Sequence, residues 1–256
     1  MSYSDAFDDI ESTDSSSRAP LRTAKYDIPM ANAANATKAD LTEYVDNGVG
    51  ESLEERQALL EELKAEYMNL LDKDKPELIF VQNETDAVEG DTLEDLLRRH
   101  GPFPLEEHIA AKILRSVSSA VMFLHSREVV HGGLDFNSVI VDSHFNAKTI
   151  ITTTIYRTKR SSLGVKAKVE DVFHVGLLLY RMITGKTAKF DNEGRLIGGP
   201  SPYLRVSEKG LKLAEFMLTK SVRFPPTIGR VRYSEWLEEC EDNPPVFVLF
   251  PDYVPE

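Results

Sequence analysis

Ser52 stands three residues before Glu55, and behind this pair Leu60, Leu63, Tyr67 and Leu70 or Leu71 recur at helical spacing. A serine at a helix N-cap accepts the N3 amide proton while a glutamate at N3 reaches back to the cap amide, so the pair sets where a helix starts. The apolar residues then share one face, which predicts an amphipathic helix from Ser52 to about Asp72 that must bury that face against other structure. The chain has enough material to cover it, since 256 residues of which 41% are hydrophobic suffice for one domain of moderate size plus extensions. No apolar run approaches the ~20 residues of a membrane span. A net charge of −12 argues against nucleic acid as a partner of the whole chain. Cys240 is the single cysteine, which allows no internal disulfide and suits a cytoplasmic or nuclear compartment. Met1 to Ser17 is acidic and serine-rich without Lys or Arg, so neither a secretory leader nor an arginine-rich transit peptide is expected.

The second informative segment is His131-Gly132-Gly133-Leu134-Asp135-Phe136-Asn137-Ser138-Val139-Ile140-Val141-Asp142. It resembles the catalytic loop of the protein kinases, H-R-D-L-x-x-x-N. Upstream, Ala110 to Leu114 and Ala120 to Ser126 lead into Val129-Val130-His131 as the long helix before that loop does. Downstream, Asp171 to Lys186 resembles D-V-W-S-x-G-x-x-L-Y-E-M-x-T-G-K, the central helix of a kinase C-lobe. Leu218-Thr219-Lys220, Pro226-Thr227-Ile228 and Trp236-Leu237 keep the order of the closing segment. The resemblance covers about residues 76 to 240. It implies an α+β, kinase-like fold with a mainly helical C-lobe.

The positions that carry phosphoryl transfer in that family are altered. The catalytic aspartate falls on Gly133, the loop lysine on Asp135, the magnesium-binding asparagine on Ser138, and the D-F-G triplet on Ile151-Thr152-Thr153. Magnesium needs hard oxygen ligands in near-octahedral order, and a single serine hydroxyl does not supply them. The resemblance keeps Asp171, which in the family holds the loop backbone, and His131, a packed interior residue. His125 and His174 are read in the same way, as satisfied interior histidines.

On the N-terminal side, Glu66-Tyr67-Met68-Asn69-Leu70-Leu71 and Lys75-Pro76-Glu77-Leu78-Ile79 resemble E-x-x-x-L and H-P-N-I of the family's C-helix. Thr23-Ala24-Lys25 faintly resembles the strand that carries its lysine, and Gly48-Val49-Gly50 reads as a turn. After Ile79 the chain reaches Val88 to Leu97, similar to the hinge, so few N-lobe strands fit. The expected organisation is residues 1–50 as an acidic, serine-rich tail, largely disordered; 51–100 as a reduced N-lobe; 101–240 as the C-lobe; and 241–256 as an apolar, proline-bounded tail. Gly194, Gly198, Gly199, Pro200 and Pro202 predict loops.

Two surfaces are weighed: a basic strip that reads as a solvated loop or as a site for an acidic partner, and a C-terminal segment that packs on its own C-lobe or is offered to a partner. The strip Arg157, Lys159 and Arg160, with Lys166 and Lys168 beyond, is basic in an acidic chain, and Phe247, Phe250 and Tyr253 give the C-terminal segment an apolar character. The expectation that follows is a pseudokinase: a scaffold or allosteric regulator, not an enzyme, with no cofactor or metal. Its partner would be a protein, such as an active kinase or a multi-protein assembly. A nucleotide-responsive switch or unorthodox enzyme using Asp135, Lys25 and Glu66 is one alternative, and a structural subunit of a large assembly is another.

Overall fold

The computed structural model describes residues 51–81, 88, 90–158, 162–199, 206–219 and 224–242. Both tails, and with them Lys25, Phe247, Phe250 and Tyr253, lie outside the described residues, as do Lys159 and Arg160.

Helix α1, Leu53–Met68, begins as its sequence dictates: the Ser52 amide donates to Glu55 at 2.6 Å, and the Glu55 amide donates to the Ser52 hydroxyl at 3.2 Å. It stops at Met68, short of the expected Asp72. Leu71 is extended and the chain makes a short 3-10 turn, Asp72–Asp74. Pro76 follows, and a residue before proline is pushed out of the helical region, which fits Lys75 at ψ 120°. Leu71 is 66% exposed, while Leu59, Leu60 and Leu63 form the buried face.

Strand β1, Leu78–Phe80, runs parallel to β5, Ala147–Ile151. β5 continues antiparallel to β4, Val139–Val141, and β4 antiparallel to β2, Asp91–Thr92, giving a sheet in the order β1-β5-β4-β2. Ile79, Ile140 and Ile150 of this sheet pack with Val81 and Val88 in a small apolar cluster. Thr92 caps helix α2, Leu93–His100, its hydroxyl accepting from the Asp95 amide at 3.0 Å. Acidic Glu94 and Asp95 in the first turn and basic Arg98, Arg99 and His100 in the last match the helix dipole.

The body is helical. Helix α3, Glu107–Ser126, presents Ala110, Ile113, Leu114, Val117 and Val121 to the main core. Helix α4, Ser162–Thr184, meets it with Val172, Val175, Leu178, Leu179, Met182 and Ile183. Helices α5 (Glu208–Leu218), α6 (Ile228–Arg232) and α7 (Glu235–Asp242) close the same core, with Trp236 buried. Strand β3, Val129–Val130, pairs antiparallel with β6, Tyr156–Arg157. Where glycine and proline predicted only loops, β7, Lys189–Phe190, and β8, Leu196–Ile197, form a hairpin. Its turn is closed by Asp191, whose Oδ1 accepts from the Glu193 and Arg195 amides at 2.9 and 2.8 Å. The result is a mixed α+β fold with a helical C-terminal portion.

Candidate functional site

The loop His131–Ser138 lies between β3 and β4, and α4 anchors it from below. Asp171 is 2% exposed. One carboxylate oxygen accepts from the His131 amide at 2.8 Å and meets His125 Nε2 at 2.9 Å; the other accepts from the Gly132 amide at 3.2 Å. Burial pushes this carboxyl up, but the His125 hydrogen bond, the charges of His125 and His131 and the His131 amide outweigh it, so the group lies below its ordinary range. A buried carboxylate is tolerable when its lone pairs are used in this way.

His131 is buried as well. Burial lowers its pKa from 6.5, against the opposing pull of the Asp171 charge and the Ile150 carbonyl. The neutral ring then has one donor and one acceptor. Nδ1 accepts from the Gly133 amide at 3.3 Å, so Nε2 carries the proton and donates to the Ile150 carbonyl at 2.9 Å. His131 thus ties the loop to β5. His174, expected to be a satisfied interior histidine, leaves a buried Nδ1 without a hydrogen-bond partner.

Asp135 and Ser138 are turned to local use. Asp135 Oδ1 accepts from the Asn137 and Ser138 amides at 2.9 and 2.8 Å. The Ser138 hydroxyl accepts from the Asp135 amide and donates to the Asp135 carbonyl, both at 2.8 Å. Such turns satisfy backbone groups that no strand or helix reaches. Of the set Asp135, Lys25 and Glu66, Lys25 lies outside the described residues. Asp135 is held in its own turn, and Glu66 faces away to Arg127.

Gly132 and Gly133 are where the chain returning from β5 comes close. Gly132 has φ +68°, and a Cβ there would lie 2.5 Å from the Thr154 carbonyl oxygen. A Cβ on Gly133 would meet Thr154 Cγ2 and Oγ1 at 3.1 Å. Thr154 in turn donates from Oγ1 to the His131 carbonyl at 2.9 Å and sits 3.1 Å from Thr152 Oγ1. Ile151, at the start of the D-F-G position, is fully buried beneath α1 in the cluster with Leu59, Leu60, Leu63 and Phe123. Thr154 was not singled out from sequence. The glycine pair was the available signal, because two adjacent residues without side chains mark a place that something else fills.

Arg157 is not a free basic residue. Its guanidinium pairs with Glu62 at 2.5 Å, and its amide lies 3.3 Å from Glu51. Lys168 is likewise engaged, donating to the His125 carbonyl at 2.9 Å and pairing with Glu128 at 2.7 Å. The acidic partners of Arg157 and Lys168 are remote in the chain, and Lys159 and Arg160 lie outside the described residues. Among the described residues no group of three or more His, Cys, Asp or Glu is placed to hold a metal ion, and no helix is long and apolar enough to cross a membrane.

No protein-family model matches the chain. It is 27% identical over 194 residues, 66% of its length, to a Mus musculus protein carrying the provisional name sperm motility kinase W. It is 27% identical over 154 residues, 52% of its length, to the serine/threonine-protein kinase PSK2 of Saccharomyces cerevisiae. A third relative, the testis-specific serine/threonine-protein kinase 2 of Mus musculus, is 28% identical over 131 residues, or 42% of the chain. The matches cover 38%, 14% and 36% of these relatives' own lengths. They support a protein-kinase-like fold. They also overturn the expectation that the chain is not an enzyme: the relatives are named as kinases, which points toward catalytic kinase function. The expectation rested on the altered catalytic and magnesium positions and on the lack of a glycine-rich loop, and the relatives' names as kinases stand against it.

Proposed function

We propose that this chain is a protein-kinase-like regulatory domain that works by binding a protein partner, such as an active kinase or a multi-protein assembly. The observation that supports this reading is the state of the loop. Its anchor is complete, with both Asp171 oxygens engaged by the His131 and Gly132 amides and the His125 ring. Meanwhile Asp135 and Ser138 are bonded to the loop's own backbone. A loop so constrained is a rigid platform, and rigid surfaces lose little entropy on association.

Affinity purification of the full chain from its native cells, followed by reconstitution from purified components, tests the reading. A stoichiometric complex that survives reconstitution is expected. A well-folded chain that recovers no stoichiometric partner would refute it. Serine/threonine phosphotransfer is the second reading, favoured by the names of the relatives. It predicts a magnesium-dependent rise in thermal midpoint with ATP, since a ligand of the native state stabilises it, and transfer of labelled phosphate. The absence of both would remove that reading.

A further inference from the structure

Where α6 packs between α3 and α5, two arginines differ from the others. Arg98, Arg99, Arg127, Arg157, Arg181 and Arg195 each pair with a carboxylate. Arg230 and Arg232 of α6 meet none among the described residues, in a chain whose net charge is −12. They lie against rings instead. Arg230 stands over Phe216 of α5, 4.5 Å from its centroid. Arg232 is 5.6 Å from the Tyr233 centroid, and its Nε donates to the Ser119 hydroxyl of α3 at 3.0 Å. A guanidinium held on a ring is fixed in orientation and keeps outward N–H donors for a carboxylate. Tyr233 is 67% exposed, and Phe224, four residues ahead of α6, is 70% exposed. Arginine beside exposed aromatic rings is the composition that carries binding energy at interfaces.

We propose that this patch is a docking surface for the acidic segment 3–11 of the same chain. Charge selects that occupant. Asp5, Asp8, Asp9 and Glu11 stand there with no Lys or Arg before Arg18, opposite in sign to the two arginines. Apolar side chains accompany the charge, since Tyr3, Phe7 and Ile10 are interleaved with the acids and offer partners to the Phe216 and Tyr233 rings. The other terminal segment, with Asp252 as the one acid between Pro244 and Pro255, lacks that charge. Reach is sufficient as well. Forty positions lead from Glu11 to Glu51, up to about 130 Å of extended chain, against a diameter of about 40 Å for a body of this size. Tethering supplies an effective concentration on the order of millimolar, so two exposed ion pairs and a ring contact are enough. While the segment is docked, an acidic partner from outside must displace it. This goes beyond the regulatory reading above and does not rest on it, since the contact is the same whether or not the chain transfers phosphate.

A nitroxide on the full chain tests the proposal, attached through Ser12→Cys in a Cys240→Ser background because Cys240 is the single cysteine. Selective broadening of the amide signals of 228–234 and of Phe216 is expected, unchanged over about a tenfold dilution because the contact is intramolecular. Raising sodium chloride from about 50 mM to about 500 mM is expected to weaken it about three- to tenfold, since exposed ion pairs are screened. Arg230→Glu combined with Arg232→Glu is expected to abolish the broadening, and Asp8→Lys with Asp9→Lys on that background to restore most of it. Should those variants not fold, Asp5→Asn, Asp8→Asn, Asp9→Asn and Glu11→Gln together, all outside the described residues, are expected to give the same loss. A patch that shows no selective broadening would overturn the proposal. Broadening found only when nitroxide-labelled chains are mixed with isotope-enriched, unlabelled ones assigns the contact to a second copy and overturns it too.

Discussion

Gly133 occupies the position that resembles a catalytic aspartate, so Gly133→Asp asks what now fills that space. A Cβ there lies 3.1 Å from Thr154 Cγ2 and Oγ1 and 3.2 Å from Thr154 Cβ. All three atoms belong to one side chain, which is pinned by its bond to the His131 carbonyl. The variant must either keep that bond and accept overpacking, at about 1–3 kcal/mol, or rotate Thr154 and lose a hydrogen bond worth about 0.5–1.5 kcal/mol. Rotation is the cheaper course, so the expected loss is about 1–1.5 kcal/mol, followed as a lower urea midpoint at constant slope. Thr154→Gly removes the obstacle. On that background Gly133→Asp is expected to cost about 1 kcal/mol less, a coupling of the size seen for residues in contact. Additive losses within about 0.5 kcal/mol would refute the reasoning that Thr154 fills the glycine's space.

The remaining predictions concern the anchor. Because burial holds the His131 pKa below 6.5, the unfolded chain binds its proton first as the pH falls. The stability His131 contributes is complete above pH 6.5 and declines below it, at up to about 1.4 kcal/mol per pH unit. Urea unfolding across this range should show a shallower pH slope in His131→Gln, and identical slopes would exclude the assignment. Asp171, with its pKa below the ordinary 3.8, contributes stability present above that value and lost as pH falls through its folded pKa, a separate and more acidic window. Asp171→Ala leaves the His131 and Gly132 amides without their acceptor and is expected to cost about 3–5 kcal/mol. A thermal midpoint unchanged by that substitution would contradict the anchoring role.

What was legible in the sequence was local or periodic. The Ser52 and Glu55 cap and the apolar face around Leu60 and Leu63 each depend on residues within one or two turns. Side-chain type and spacing decide such features before any tertiary contact forms. The resemblance also carried His131 and Asp171, forty residues apart, because that pairing is written into a family pattern. It carried less about use: Asp135 and Ser138 have the right chemistry for a cleft and are bonded to their own turn instead.

The helix ends at Met68, a few residues short of the expected Asp72, where Leu71 turns extended. Cys240 and the net charge narrowed classes of function but located nothing. By itself the sequence determined the helix starts, the apolar faces and the two loop glycines, all matters of backbone freedom and short-range bonding. Tertiary structure alone decided that Glu66 meets Arg127 across 61 positions, that Arg157 meets Glu62 across 95, and that Thr154 comes to rest on Gly133. Charges so far apart in the chain have no preferred partner until the apolar faces have packed and set the distances between them.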